Sequence, residues 1–153
     1  MAYWLFKSEP DDYSIDDLAH EKAGYTVWDG IRNYQARNFL RDNVVVGDGV
    51  LFYHSSCKNV GVVGTAEVVK AAYPDPAQFD PDNRYFDSKA SKEAPRWYCV
   101  DIAFRSAFDS LIPLAELRTL PALSDMVLLK KGRLSIQPVS KAEWRLVTAL
   151  RAT

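Results

Sequence analysis

The stretch VWDGIRNYQARNFLR, residues 27–41, puts Trp28, Arg32, Asn33, Tyr34, Gln35, Arg37 and Asn38 within eleven positions. Indole and phenol faces stack on flat rings, side-chain amides donate and accept along one edge, and guanidinium forks match phosphate or carboxylate oxygens. Such a set suits a slot for a planar polar ring, with Trp28 as its wall and the amides of Asn33 and Gln35 at its edge. Each residue also has a structural use. Trp28 could be a core tryptophan. Asn33 could cap a helix, which would occupy the same side chain. Arg32, Arg37 and Arg41 could form a solvated helix face. Gln137, next to Pro138 in LSIQPVS, is a further amide with no evident structural need.

Nucleotide-hydrolase and dinucleotide signatures are missing. There is no G-x-x-x-x-G-K-[ST] and no G-x-G-x-x-G, and Gly47-Asp48-Gly49 precedes a strand instead of opening a helix, so it reads as a turn. The spacing of His20, His54, Cys57 and Cys99 matches no common zinc site, and no metal or cofactor is expected. His54, Ser55, Ser56 and Cys57 are the one cluster holding a nucleophile and a base. Neighbours on a strand point to opposite faces, however, so His54 and Cys57 would converge only across a turn.

These groups sit on a chain of 153 residues, 48% hydrophobic and 25% charged, as expected of one globular domain spanning 1–153. No apolar run approaches the roughly 20 residues that span a bilayer. The start, MAYWLFKSEP, lacks the marks of a signal peptide. With only Cys57 and Cys99 as thiols, a cytoplasmic location is expected, or a nuclear one in a eukaryote. The net charge is −1, unevenly spread: residues 1–30 hold seven acids against Lys7 and Lys22, and the remainder thirteen acids against seventeen bases. Phosphate contacts alone would not give such a chain high affinity for nucleic acid, so a pocket would have to supply selectivity.

The elements that must carry the site follow from local pattern. YWLFK reads as a strand buried on both faces. Ser14 and Asp17 approximate a capping box for a helix that Gly24 stops. Asn33 is a plausible N-cap for a helix to Asp42, with Ala36, Phe39 and Leu40 as its apolar stripe. Strands follow from Gly49 to about Ser55, over VGVVGTAEVVKAAY with a bulge, and over RWYCVDIAFRSAF after a loop across 74–95. Short helices are expected in PLAELRTL and in SDMVLLKKG, the latter with Ser124 as N-cap and Gly132 at C′. LSIQPVS is a short strand, and Ser140 with Glu143 caps a last helix. The sum is an α+β domain of about five strands whose long crossovers could close into a small barrel.

WLFKSEPDDYS, WDGIRNYQARNFLR, GDGVLFYHSS, YPDPAQFD, APRWYCVDIAF and LSIQPVS, taken in order, resemble the EVE domain family, a branch of the PUA-like superfamily related to YTH domains. The resemblance implies a PUA-like barrel, a curved mixed sheet flanked by helices. It also implies a non-catalytic module that holds a modified nucleobase, a modified cytosine above all, in DNA or RNA. The alternative is an enzyme or small-molecule-binding protein acting on a nucleobase-like metabolite. The implied base pocket takes in Lys7 and Ser8, where YTH domains carry a similar pair, with Trp28, Asn33, Gln35, Tyr53, His54, Ser55, Ser135 and Gln137. Arg32, Arg37 and Arg41 are the candidates for phosphate contacts. The expected partner is nucleic acid carrying a modified base, without metal or membrane. Glu9 and Asp11 of the acidic lip would face base amino groups or cap a turn.

Overall fold

The computed structural model describes residues 1–151, so Ala152 and Thr153 of the expected 1–153 domain lie outside the described residues. Six strands form one mixed sheet in the order β2-β5-β4-β3-β1-β6. They are β1 (Tyr3–Ser8), β2 (Thr26–Trp28), β3 (Gly49–His54), β4 (Gly61–Pro74), β5 (Tyr98–Pro113) and β6 (Ile136–Val139). Strand β1, next to the edge strand β6, runs parallel to β3 and antiparallel to β6. Helices α1 (Ile15–Ala19), α2 (Tyr34–Asp42), α3 (Leu114–Arg118), α4 (Val127–Lys130) and α5 (Lys141–Ala149) flank it. The fold class is the PUA-like one expected, with a sixth strand. The two edge strands β2 and β6 are not paired with each other among the described residues, so the sheet stays open.

Strand β1 explains why the molecule has two cores. Its side chains alternate, as period two requires. Trp4 and Phe6 join Trp28, Phe52, Val100, Ile102 and the α1 and α2 residues Ile15, Leu18, Ala36 and Leu40 in one cluster. Leu5 joins Leu51, Tyr53, Val139 and the α3, α4 and α5 residues Leu117, Leu128 and Val147 in the other. The sheet is thus sandwiched, α1 and α2 on one face and α3 to α5 on the other.

Several local expectations hold to the residue. Ser14 and Asp17 form a reciprocal capping box, as do Ser140 and Glu143. Asn33 caps α2 by accepting from the Ala36 amide at 3.0 Å. Others are corrected. Helix α1 ends at Ala19, and Gly24 serves a later turn with φ +83°. Ser124 does not cap α4. Pro121 starts a 3-10 turn over Pro121–Leu123 that draws Ser124 into helical backbone (φ −57°, ψ −27°), and Met126 takes the N-cap position without a side-chain bond. Gly132 follows the C-cap Lys131 but does not adopt a left-handed conformation. Asp48, expected only as a turn residue, is fully buried and accepts from the Ala2 and Val45 amides and the Trp4 indole, each at 2.9 Å.

A candidate nucleobase cleft

Strand β2 is only three residues long and hydrogen-bonds to β5 along one edge. Its last residue, Trp28, is 7% exposed and packs on Phe6 (ring centroids 5.6 Å), Phe52 (5.5 Å) and Tyr13 (6.3 Å). The chain then turns at Gly30, with φ +77°, where a side chain would collide with Tyr85 at 2.6 Å. Between this segment and the turn after β1 lies a cleft of about 760 Å³. Residues Tyr25 to Ile31 and residues of the Lys7–Tyr13 segment line it, together with Ser135, with Tyr85, which lies against Gly30, and with Arg84, which reaches Asp12. Trp28, Tyr13, Tyr25 and Tyr85 make it aromatic, and the volume is that of an ordinary small-ligand site.

The loop that supplies Arg84 and Tyr85 is held from the far side of β2. Arg32 donates Nε and Nη2 to the Tyr85 carbonyl (3.1 and 2.8 Å) and Nη1 to Asp75 (3.0 Å) and the Ile31 carbonyl. Asp75, fully buried, also accepts from the Gly30 and Ala77 amides. Arg32 further lies 5.3 Å from the Trp97 ring centroid. The arginine expected at phosphate therefore has its donors committed within the protein, and it braces the cleft wall. Arg37 is similar: it donates to the Arg96 carbonyl at 2.8 Å and to Asn38, and rests over Tyr34, which stacks on Trp97. Arg41 pairs with Asp42 at the far end of α2 and does not reach the cleft.

Of the ten expected pocket residues, the cleft brings together Lys7, Ser8, Trp28 and Ser135. Ser8 donates its hydroxyl to the Tyr13 carbonyl at 2.6 Å, and the Tyr13 hydroxyl donates to Glu21 at 2.6 Å. Burial first, and the Glu21 carboxylate next, hold that phenol above its ordinary range. Lys7 borders the cleft, yet its ammonium bonds the Gly132 carbonyl at 2.5 Å and lies 5.6 Å from the Tyr53 ring. Burial depresses it.

Tyr53, His54, Ser55, Asn33, Gln35 and Gln137 lie elsewhere. Register pairs Lys7 with Tyr53 and Leu5 with Gln137, which sends Tyr53 and Gln137 to the face of the sheet opposite Trp28. Gln137 is fully buried and donates to the Lys131 and Leu134 carbonyls (3.0 and 2.9 Å), tying down the segment before β6. That is the structural need its sequence context concealed. Ser55 bonds through its amide to the Ser8 carbonyl. Asn33 and Gln35 border a second, shallower depression of about 310 Å³ with Lys131, Gly132, Arg133 and Leu134. Asn33 uses its acceptor as the N-cap, so the two roles weighed for it resolve towards the helix.

His54 lies on the Trp28 face but does not line the cleft. Its Nε2 accepts from the Ile15 amide at 3.1 Å, the first amide of α1, so the ring caps that helix from a distance. Accepting there requires neutral imidazole. Burial holds His54 below its ordinary 6.5, partly offset by Asp16. As pH falls through 6.5 the unfolded chain takes up more protons than the folded one, so this stability is complete above 6.5 and declines below it. The thermal midpoint is expected to be level above about pH 7 and to fall towards about pH 5.5. His54→Gln should flatten that decline. A variant profile parallel to wild type would rule the cap out as its cause.

Sequence reasoning passed over Tyr13, Tyr25, Asp29, Arg84 and Tyr85. An aromatic residue in the polar stretch DPDNRYFDSK was the available signal for Tyr85. Arg84 sits 4.7 Å from the Tyr85 ring centroid and pairs with Asp12 at 3.5 Å, joining the two lips of the cleft. Both partners are well exposed, so the pair is weak and displaceable. Asp29 is held above the usual carboxylate range, first by desolvation and then by Asp75. Among the described residues, no three His, Cys, Asp or Glu side chains gather as a metal ion would need.

Residues 2–150 match the family model described as the EVE domain. The chain is similar to thymocyte nuclear protein 1 of Homo sapiens, 41% identical over 97% of this chain and 73% of the human protein. Thymocyte nuclear protein 1 of Danio rerio is 38% identical over 96% of this chain and 71% of its own length. Among solved structures, human THYN1 protein in complex with 5-methylcytosine containing DNA matches with a TM-score of 0.92 at 41% identity, covering 98% of this chain and 97% of that one. A crystal structure of a Pseudomonas syringae protein matches with a TM-score of 0.92 at 47% identity, covering 99% and 100%.

Proposed function

The chain belongs to the EVE domain family, and on that footing we propose that it is a binding module that takes a modified cytosine of DNA into the cleft beside Trp28. The observation that carries this reading is the human relative's complex with 5-methylcytosine containing DNA, a structure that this chain matches over nearly its whole length. The cleft supports it chemically. A base drawn out of a stack needs an aromatic wall and apolar surroundings for its methyl group. Trp28, Tyr13, Tyr85, Val27 and Ile31 offer both.

Carboxylates dominate the cleft lining, with Glu9, Asp12 and Asp29 against Lys7 and Arg84, so phosphates would stay outside it. Lys131 and Arg133, beside the Asn33 depression, have no ion-pair partner among the described residues and are exposed. They are better placed for the phosphates that flank the base than Arg32, Arg37 or Arg41.

Short oligonucleotides carrying cytosine or 5-methylcytosine at one position, titrated by fluorescence anisotropy at two salt concentrations, test this. A buried methyl is worth about 0.8 kcal/mol, so the modified site should bind about fourfold tighter. Lys131→Ala with Arg133→Ala should reduce the salt slope by about 1.8 on duplex DNA, the equivalent of two contacts. Equal affinity for both bases would refute the reading, and an unchanged slope would remove the two cations from it.

A further inference from the structure

We propose that Asp29 reads the exocyclic amino group of the base in the cleft, selecting an amino-bearing base over its carbonyl counterpart. The inference rests on the base-cleft reading above and assigns its edge chemistry to one side chain.

Asp29 directly follows Trp28, and both line the cleft. The left-handed turn at Gly30 ends the strand alternation there, which lets two consecutive side chains border one cavity. The neighbouring carboxylates are spoken for. Asp75 accepts from Gly30, Ala77 and Arg32, and Asp12 faces Arg84. Glu9, exposed like Asp29 and likewise without a side-chain partner among the described residues, lies in the Lys7–Tyr13 segment. Asp29 is the carboxylate that directly follows the aromatic wall, and its carboxyl takes no hydrogen bond from another residue and no ion pair among the described residues.

Three of the nearby donor groups are committed elsewhere. Arg32 directs its donors to Tyr85, Ile31 and Asp75. The Ser8 and Tyr13 hydroxyls already donate to the Tyr13 carbonyl and to Glu21. A carboxylate only accepts, so its complement must be a donor carried by the ligand. The amino group of cytosine is such a donor, and acidic side chains accept from it. Thymine offers a carbonyl at the same ring position, which would set acceptor against acceptor and leave a polar clash inside the cleft.

5-Methylcytosine and thymine share ring size and methyl group and differ in this edge, so they isolate the effect. Anisotropy titrations would compare oligonucleotides carrying 5-methylcytosine, thymine, N4-dimethylated 5-methylcytosine or an abasic site at one position. Wild type should favour 5-methylcytosine over thymine and over the dimethylated base by about tenfold or more. Asp29→Asn should bring the 5-methylcytosine-to-thymine ratio to about one, because its amide now offers a donor to the carbonyl; the gain in thymine affinity is a readout that a structural role would not produce. Asp29→Ala should weaken 5-methylcytosine binding and leave thymine unchanged. The wild-type ratios need no variant, so they decide even if a substitution unfolds the chain. Equal binding of 5-methylcytosine and thymine by wild type, or a ratio that survives Asp29→Asn, overturns the inference while the base cleft stands. If 5-methylcytosine binds no better than the abasic site, the cleft reading falls and this inference with it.

Discussion

Trp28→Ala is expected to lose about 3–5 kcal/mol of folding stability and, in the fraction that remains folded, all preference for an oligonucleotide bearing a base over its abasic counterpart. Both effects come from one side chain with two faces. One side of the indole packs on Phe6 and Phe52 in the α1–α2 core, where a truncation leaves a cavity that the sheet cannot collapse to fill. The small part of it that stays exposed, 7%, borders the cleft, where stacking on a base would be worth about 1–3 kcal/mol. Urea denaturation gives the first quantity. Anisotropy at low temperature, with circular dichroism confirming the fold, gives the second. Trp28→Phe should recover most of the stability but only part of the binding, since the smaller ring fills the core side better than it covers a base. If Trp28→Ala, shown to be folded, bound the modified oligonucleotide like wild type, the wall of the site would have to be sought elsewhere.

Asp75→Ala is expected to be as costly to the fold, about 3–5 kcal/mol, because it leaves Arg32 and two backbone amides without their partner in a buried setting. Its effect on binding should exceed that of any exposed cleft residue. Gly30 and the Tyr85 loop would lose the common anchor that sets the distance between the two walls. Asp75→Asn keeps an acceptor for the amides while removing the charge, so it should fall between the two. Asp75 also pushes the Asp29 carboxyl up. An NMR titration of Asp29 should therefore move down towards the ordinary carboxylate range in Asp75→Asn. A stability loss below about 1 kcal/mol for Asp75→Ala would mean that the wall is braced by packing rather than by this pair.

The two cations singled out for phosphate differ from those the sequence suggested, and the reason is geometric. An arginine in a polar helix start looks free when read along the chain. Arg32 is engaged by Tyr85, which is 53 residues away, and Arg37 by Arg96, 59 residues away. Lys131 and Arg133 read as the tail of a short helix and its following turn. The pairing of β6 with β1 leaves that turn beside the start of α2.

What the chain determines by itself is what depends on neighbours a few residues apart. The capping boxes at Ser14 and Ser140, the Asn33 cap, the doubly buried β1 and the long β4 and β5 strands all follow from interactions within about four residues or from period-two alternation. The six ordered motifs also identified the family. Tertiary structure alone decided which face of the sheet each candidate occupies and what its polar atoms already bond. β2 is three residues long and exists as a strand because β5 offers it an edge. Lys7 and Ser8 are adjacent and both border the cleft, yet the Lys7 ammonium turns to Tyr53 and Gly132 while the Ser8 hydroxyl bonds the Tyr13 carbonyl. Gln137 and Trp28, both natural choices for a base slot, stand on opposite faces because a strand gives its successive side chains to opposite sides, and the face each takes depends on a register set by partner strands far away in the sequence.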